Sequence, residues 1–273
     1  MQVETSRESR GGREHVTTSA SEAVDGFEFS TLSLGETIAT MRAWVAEGDA
    51  GAPRLFACGN PHSLEVARRD AGFAAALRGA DLLVPDGVGI VVGSWIQGGR
   101  IRKTVCGPDV FAGLSRELNE RVPGARVFFL GGTESTLAAI AEKYGAEFPR
   151  LVVAGTYAPP FRSKFSREDE QDLIDRVNAA SPDLLWIGLG APKQEKLAFA
   201  NRNRLRVRMI GPVGAVFDFY TGRVKLPPRW VQKLGLIWLF RFLQQPRRLW
   251  ERQVNGAVFL MRMATRRVLG KRA

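Results

Sequence analysis

Asp183-Leu184-Leu185-Trp186-Ile187-Gly188-Leu189-Gly190-Ala191-Pro192-Lys193-Gln194-Glu195 is the stretch whose reading decides the fold. Leu184 to Ile187 form an apolar run bounded by turn signals, the pattern of a strand buried on both faces. Gly188 and Gly190 permit a tight turn or a close approach of backbone to a ligand. Pro192 suits the first turn of a helix, where its missing N–H is not needed. Lys193, Gln194 and Glu195 then stand at that helix's N-terminus. A strand running straight into a helix puts these polar groups at the carboxyl edge of a parallel sheet. Open α/β proteins bind ligands there, and helix N-termini favour phosphate. The same residues also read as a plain turn with solvated side chains, because short glycine patterns are weak evidence alone.

The unit recurs along the chain. Arg54 to Ala57 read as a strand, followed by Cys58-Gly59-Asn60-Pro61-His62-Ser63 and a helix through Arg69. Leu82 to Val84 lead into Pro85-Asp86-Gly87 and a helix through Trp95. Arg126 to Leu130 lead into Gly131-Gly132-Thr133, a helix over Ser135 to Tyr144 and a strand at Leu151 to Ala154. A helix over Arg167 to Ala180 precedes Leu184, and a strand at Val207 to Ile210 enters Gly211 to Phe219. This β-α-β alternation predicts an α/β, Rossmann-like fold, a mostly parallel sheet flanked by helices. Neither a G-x-G-x-x-G fingerprint nor a P-loop lysine is present.

In one parallel sheet the loops at Asn60, Asp86 and Gln194 would converge on a single rim. Each residue also has a plain structural reading. Asn60 before Pro61 closes an Asx-type turn, Asp86-Gly87 is a turn dipeptide, and His62 is a surface or capping residue rather than a base. Arg100, Arg102 and Lys103 precede Cys106-Gly107-Pro108-Asp109 and either hold phosphate or line a solvated loop. Asp109 caps the helix over Val110 to Arg121. Asp218, among aromatics, is either ligand-facing or paired structurally.

Composition narrows the class. With 273 residues and 45% hydrophobic content, the chain can bury a substantial core. Cys58 and Cys106 have no metal-ligand spacing and are too few for a disulfide framework, which fits a reducing cytoplasm. Two histidines, His15 and His62, exclude a His-rich metal site, and no metal or cofactor is expected. No apolar run approaches the roughly 20 residues of a spanning helix. Residues 1–25 are polar and read as a disordered tail without a secretory h-region.

Charge separates the chain into two regions. Of the net +11, residues 223–273 carry +12, from 13 Lys/Arg against Glu251, so the preceding 222 residues sum to −1. The expected organisation is therefore a tail over 1–25, an α/β core over 26–222 and a basic appendage over 223–273. The appendage mixes Arg with Trp230, Trp238, Trp250 and leucines, as an interfacial segment would. An anionic membrane surface is the expected partner. Helices packed on the body or an oligomer interface are the plainer readings. Nucleic acid is not expected, since no recognition motif accompanies the charge.

Several of these motifs in this order resemble the bacterial WecG/TagA/CpsF glycosyltransferases. They are Asn60, Pro85-Asp86-Gly87, Gly107-Pro108-Asp109, Leu130-Gly131-Gly132, Gly188 through Glu195 and Val213-Gly214-Ala215-Val216-Phe217-Asp218. The tail from Trp238 through Trp250 completes the likeness, which runs from about Ser33 to about Val254. The resemblance implies inverting, metal-independent transfer of a hexose or N-acetylhexosamine, with N-acetylmannosamine the best guess. The donor would be a UDP-sugar and the acceptor an undecaprenyl-diphosphate-linked sugar. The setting would be cell-envelope or exopolysaccharide synthesis, in the cytoplasm and peripheral to the inner face of the membrane, with a possible homo-oligomer.

By motif, Asp86 falls on the family's catalytic base, with Asn60 and Gln194 in the same pocket. Cys58, Gly188, Gly190, Glu195 and Asp218 complete the expected substrate contacts. Arg102, Lys103, Arg241, Arg247, Arg248 and Arg252 are the candidates to stabilise the leaving diphosphate. The chain departs from the pattern at Cys58, where Thr is common, and at Ile237, where an acid is usual. A non-catalytic sugar-nucleotide or anionic-lipid-binding protein is the alternative on the same fold.

Overall fold

A computed structural model describes residues 20–47, 51–224, 237–244 and 246–270. The chain opens with an antiparallel hairpin, β1 (Ser21–Val24) and β2 (Phe27–Ser30), followed by α1 (Leu34–Glu47). Then come β3 (Arg54–Gly59), α2 (Pro61–Ala67), α3 (Ala71–Arg78), β4 (Leu82–Pro85) and α4 (Val88–Ile96). The middle of the chain forms α5 (Gly107–Arg121), β5 (Arg126–Leu130), α6 (Glu134–Glu147), β6 (Val152–Tyr157) and α7 (Arg167–Ala180). It continues with β7 (Leu184–Ile187), α8 (Lys193–Ala200), β8 (Met209–Pro212) and α9 (Val216–Tyr220). Two C-terminal helices follow, α10 (Ile237–Gln244) and α11 (Pro246–Val268).

Six strands form one sheet in the order β4-β3-β8-β7-β5-β6, and every pairing is parallel. A parallel sheet covered on both faces needs apolar residues at successive positions, and β7 shows why. Leu184 and Trp186 face one core with Met41, Phe111, Leu114 and Tyr144, supplied by α1, α5 and α6. Leu185 and Ile187 face the other, with Leu173 and Ile174 of α7 and Leu197 of α8. Trp186 is fully buried, and Gly211 on β8 makes room for it, since a Cβ there would lie 2.2 Å from the indole ring. The Rossmann-like expectation is met.

Two boundaries differ from the sequence reading. The tail expected over residues 1–25 gives way to structure by Ser21, because Asp25 (φ 52) and Gly26 (φ 78) form a hairpin turn. Asp-Gly flanked by alternating apolar residues, here Val24, Phe27 and Phe29, is a strong hairpin signal. Residues 1–19 lie outside the described part. The run Phe27 to Leu34 reads in the sequence as a possible short strand, but the strand ends at Ser30 and Leu34 begins α1.

The C-terminal helix α11 packs across α2 and α4, burying Phe259 and Met263 in a cluster with Phe29, Leu64 and Ile90. Its arginines turn inward. Arg262 pairs with Asp25 and Glu65, and Arg266 with Asp25 at 2.6 Å. The Asp25 side chain is fully buried by these pairs. The appendage therefore reaches back to the N-terminal hairpin. Lys225 and Pro227-Pro228-Arg229-Trp230 lie outside the described residues.

Candidate active site

The parallel sheet brings four strand ends together in the order β4, β3, β8, β7. Register places Gly59 beside Pro85 and Ile187 beside Pro212, so the loops after them leave the sheet at one level. Asp86 continues the ladder, its N–H donating to the Gly59 carbonyl at 2.8 Å. The segment before α5 joins the same corner, where the Val105 N–H donates to the Pro85 carbonyl at 2.9 Å. Gly107 then lies against Cys58, since a Cβ there would be 3.8 Å from its Sγ.

Asn60 follows β3 and caps α2, its Oδ1 accepting from the Ser63 N–H at 3.0 Å. The capping reading is thus met, and only the side-chain amide N–H groups could serve a ligand. His62 accepts at Nδ1 from Asn255 Nδ2 of α11, 2.8 Å away. Burial, then nearby Arg252, lower its pKa, while Glu251 opposes them, so the neutral ring is favoured. His62 ties the C-terminal helix to the loop carrying Asn60.

On the far side of the rim, Gln194 stands in the first turn of α8. Its Oε1 accepts from the Gly190 N–H at 3.0 Å and its Nε2 donates to Glu195 Oε1 at 2.8 Å. The Gly214 backbone lies against the same amide. Glu195 was expected among the substrate contacts, but it is only 4% exposed. Its Oε2 is buried without a hydrogen-bond partner in the described structure. Burial raises its pKa to about 7. Burying a carboxylate without an ion-pair partner favours the neutral acid. Glu195 therefore orients Gln194 from behind rather than presenting its own oxygens.

Cys58, Cys106, Asp86 and Glu195 lie close enough that their charges act on one another. Both thiols are pushed up, chiefly by burial and then by Asp86, Cys106 to about 12 and Cys58 well above the ordinary range. Both cysteines are free thiols. Among the described residues no group of three or more His, Cys, Asp or Glu is placed to hold a metal ion.

Backbone turns shape the rim between β5 and β8. Gly131 (φ 109) and Gly190 (φ 81) adopt conformations that disfavour side chains. A Cβ on Gly131 would lie 2.7 Å from the Gly188 carbonyl oxygen, so these two turns are in direct contact. The α6 N-terminus opens here, capped by the Thr133 hydroxyl. Arg223 donates to Thr133 Oγ1 at 3.1 Å and also to Thr136 Oγ1. Sequence reasoning counted Arg223 only within the basic tail. The Thr133-x-x-Thr136 pair and the adjacent diglycine were its available signal.

The remaining expected residues are distributed unevenly. Asp218 is half-buried on α9, at the end of β8. Arg102 is exposed on the loop before Cys106, and its Nη1 donates to the Gly99 and Ile101 carbonyls at 2.7 and 3.1 Å. Lys103 beside it is also exposed. Arg247 is exposed in the first turn of α11. The side chains of Arg241 and Arg248 lie outside the described part.

A depression of about 640 Å³ lies at the opposite edge of the sheet, between Pro53, Ser181, Asp183, Arg206 and Arg208. Two of its charges are paired, Arg208 with Asp183 at 3.3 Å. The carboxyl rim, where an acid, two amides, two thiols and helix N-termini meet, is the better candidate site.

Comparisons with known proteins bear on the family. The model of the "Glycosyl transferase WecG/TagA/CpsF family" matches residues 23–273, so the match includes both the hairpin and α11. A relative from Bacillus spizizenii strain W23 is 26% identical over 232 residues, covering 85% of this chain and 86% of its own. One from Bacillus subtilis strain 168 is 28% identical over 196 residues, covering 72% and 73%. Both are named N-acetylglucosaminyldiphosphoundecaprenol N-acetyl-beta-D-mannosaminyltransferase.

Proposed function

Because this chain belongs to the WecG/TagA/CpsF family of glycosyl transferases, we propose that it is an inverting, metal-independent enzyme with a UDP-sugar donor and an undecaprenyl-diphosphate-linked acceptor. The relatives' names support an N-acetylhexosamine, with N-acetylmannosamine the first to try. The observation that carries the proposal is the convergence of Asp86, Asn60 and Gln194 on one sheet rim with the N-termini of α5, α6 and α8.

The chemistry follows from that arrangement. Inverting transfer needs one base, and Asp86 accepts the proton of the acceptor hydroxyl as its oxygen bonds to the anomeric carbon. The bond from that carbon to the diphosphate breaks, and its electron pair leaves with UDP. The developing charge is met by helix N-termini, backbone N–H groups and cations. Arg223, held at the α6 N-terminus, and Arg102 with Lys103 are the described candidates. Arg241, Arg247 and Arg248 would join them from the C-terminal helices. The amide N–H groups of Asn60 suit acceptor atoms on the sugar or its phosphates, while Gln194, itself only 4% exposed, holds the Gly190 turn that shapes the rim. The metal-independent route rests on the absence of a D-x-D motif.

The acceptor is a lipid, and the C-terminal helices offer a surface for its membrane. Leu243, Trp250, Val254 and Met261 are exposed apolar residues of the two helices, and Arg247 is exposed in the first turn of α11. This mixture suits a peripheral position on an anionic leaflet. Among the described residues no helix is long and apolar enough to cross a membrane. The test is a panel of UDP-sugars with a polyprenyl-diphosphate-linked N-acetylglucosamine acceptor, run in EDTA. Product from one donor, undiminished by EDTA, is expected. No turnover with any donor would overturn the reading, and restoration only by added Mg²⁺ would overturn metal independence.

A further inference from the structure

We propose that Asn255 of α11 and His62 of α2 are positioning residues, their hydrogen bond setting where Asn60 stands, so that the C-terminal helix fixes the geometry of the rim it packs behind. This rests on the reading of Asn60 as part of a transferase site. Both α2 and α4 begin at that rim, α2 capped by Asn60 and α4 by Gly87, the residue after Asp86. Two glycines of α4 draw three helices together. A Cβ on Gly89 would lie 2.4 Å from Pro61 Cγ, and one on Gly93 would lie 2.7 Å from the Phe259 ring. The first turns of α2 and α4 are therefore in contact, and α11 lies across both helices.

Apolar packing seats α11. Phe259 and Met263 are fully buried with Leu64 of α2 and Ile90 of α4. Such packing is non-directional, so it holds a helix down without fixing its position along a neighbour. Asn255, one turn before Phe259, breaks the apolar pattern. It is only 4% exposed, and its Nδ2 lies 2.8 Å from His62 Nδ1. A buried amide is costly unless it is hydrogen-bonded, so this pair selects one register of α11 on α2.

The link reaches the site within two residues. His62 stands in the first turn of α2, the turn whose Ser63 N–H donates to Asn60 Oδ1. A displacement of His62 therefore carries the Asn60 carboxamide with it. The far end of α11 is anchored separately, by Arg262 and Arg266 on Asp25. Loss of the Asn255 bond thus loosens the end nearest the site without releasing the helix.

The experiment measures kcat/KM per folded molecule for wild type, His62→Phe, Asn255→Leu and His62→Asn, each alone and combined with Asn60→Ala. His62→Phe keeps the ring's bulk without an acceptor, and Asn255→Leu keeps the volume without a donor. One disrupted pair remains if the other variant misfolds. His62→Asn retains an acceptor at the δ position. His62→Phe and Asn255→Leu should each lower kcat/KM about tenfold, the scale of one hydrogen bond, while His62→Asn stays within about twofold of wild type. With Asn60→Ala already present the same changes should cost less than about twofold, because they act through the side chain removed. Undiminished turnover by either disrupted variant when folded would overturn the proposal. So would a full further loss in the Asn60→Ala background, or His62→Asn as slow as His62→Phe. Should Asn60→Ala turn over like wild type, or wild type transfer from no donor, the reading of the site fails instead. Hydrogen exchange at the Ser63 N–H then decides alone. Exchange about tenfold faster in both disrupted variants, with His62→Asn unchanged, sustains the coupling of α11 to Asn60. Unchanged exchange in either disrupted variant overturns it.

Discussion

The two edges of the sheet use the same residue types for opposite ends. Asp81 enters β4 and Asp86 leaves it. Asp183 enters β7, while Gln194 and Glu195 follow its exit. At the entry edge Asp81 accepts from the Leu55 N–H at 2.7 Å and Arg202 at 2.6 Å, and Asp183 from the Arg126 N–H at 2.8 Å. Each joins neighbouring strands through a backbone donor and an arginine. At the exit edge Asp86 lies in one corner with two buried thiols, and Glu195 is buried with one oxygen unpartnered among the described residues. The entry edge is arranged for stability. At the exit edge Glu195 is buried and its pKa is pushed up by that burial, as happens at reactive sites.

The sharpest way to break this contrast is at Asp86. Asp86→Ala should lower kcat by about a thousandfold, within the range for general-base removal, while leaving the melting temperature nearly unchanged. A large loss of stability with activity per folded molecule intact would reverse its role.

Glu195 gives the next largest effect. Its folded pKa of about 7 lies above the ordinary 4.5, so the folded state holds a proton that the unfolded state has released. Stability should therefore be greatest below pH 4.5 for this group, and fall as pH rises through 7. The full loss is about 3 kcal/mol at 1.36 kcal/mol per unit. Glu195→Gln should flatten that slope in urea titrations run at pH 5 and 8. An unchanged slope would mean that Glu195 is ionised in the fold.

Asp81→Ala should cost about 2 kcal/mol, the scale of hydrogen bonds to a charged group, with kcat of the folded fraction retained. Chemical denaturation with activity normalised to folded protein checks both halves. Smallest of all, Arg247→Ser should weaken binding to vesicles containing anionic lipid by about fivefold, one basic residue's contribution of about 1 kcal/mol, without altering unfolding. Equal binding would move the membrane surface away from the start of α11.

The sheet was legible in the sequence because parallel strands buried on both faces are short apolar runs. Leu184 to Ile187 and Arg126 to Leu130 carry that mark plainly. The rim was legible as three loops whose ends a parallel sheet must bring together, and Asp86, Asn60 and Gln194 do meet there. Three features needed the third dimension. Glu195 reads as a polar residue at a helix start, and only packing shows that it is buried behind Gln194. Cys106 reads as one of two scattered cysteines until the Val105–Pro85 bond sets it beside Asp86. The hairpin turn Asp25-Gly26 was visible, but its polar neighbours resembled a tail. What fixes it is the pairing of Asp25 with Arg262 and Arg266, more than 230 positions away in sequence.

The measurement that bears most directly on the contrast is single-turnover transfer from bound UDP-sugar, with Asp86→Ala and Asp81→Ala prepared side by side and each corrected for its folded fraction. The account predicts that Asp86→Ala binds donor like wild type and transfers about a thousandfold more slowly, whereas Asp81→Ala transfers at the wild-type rate from a less stable fold. Wild-type transfer by Asp86→Ala would contradict it.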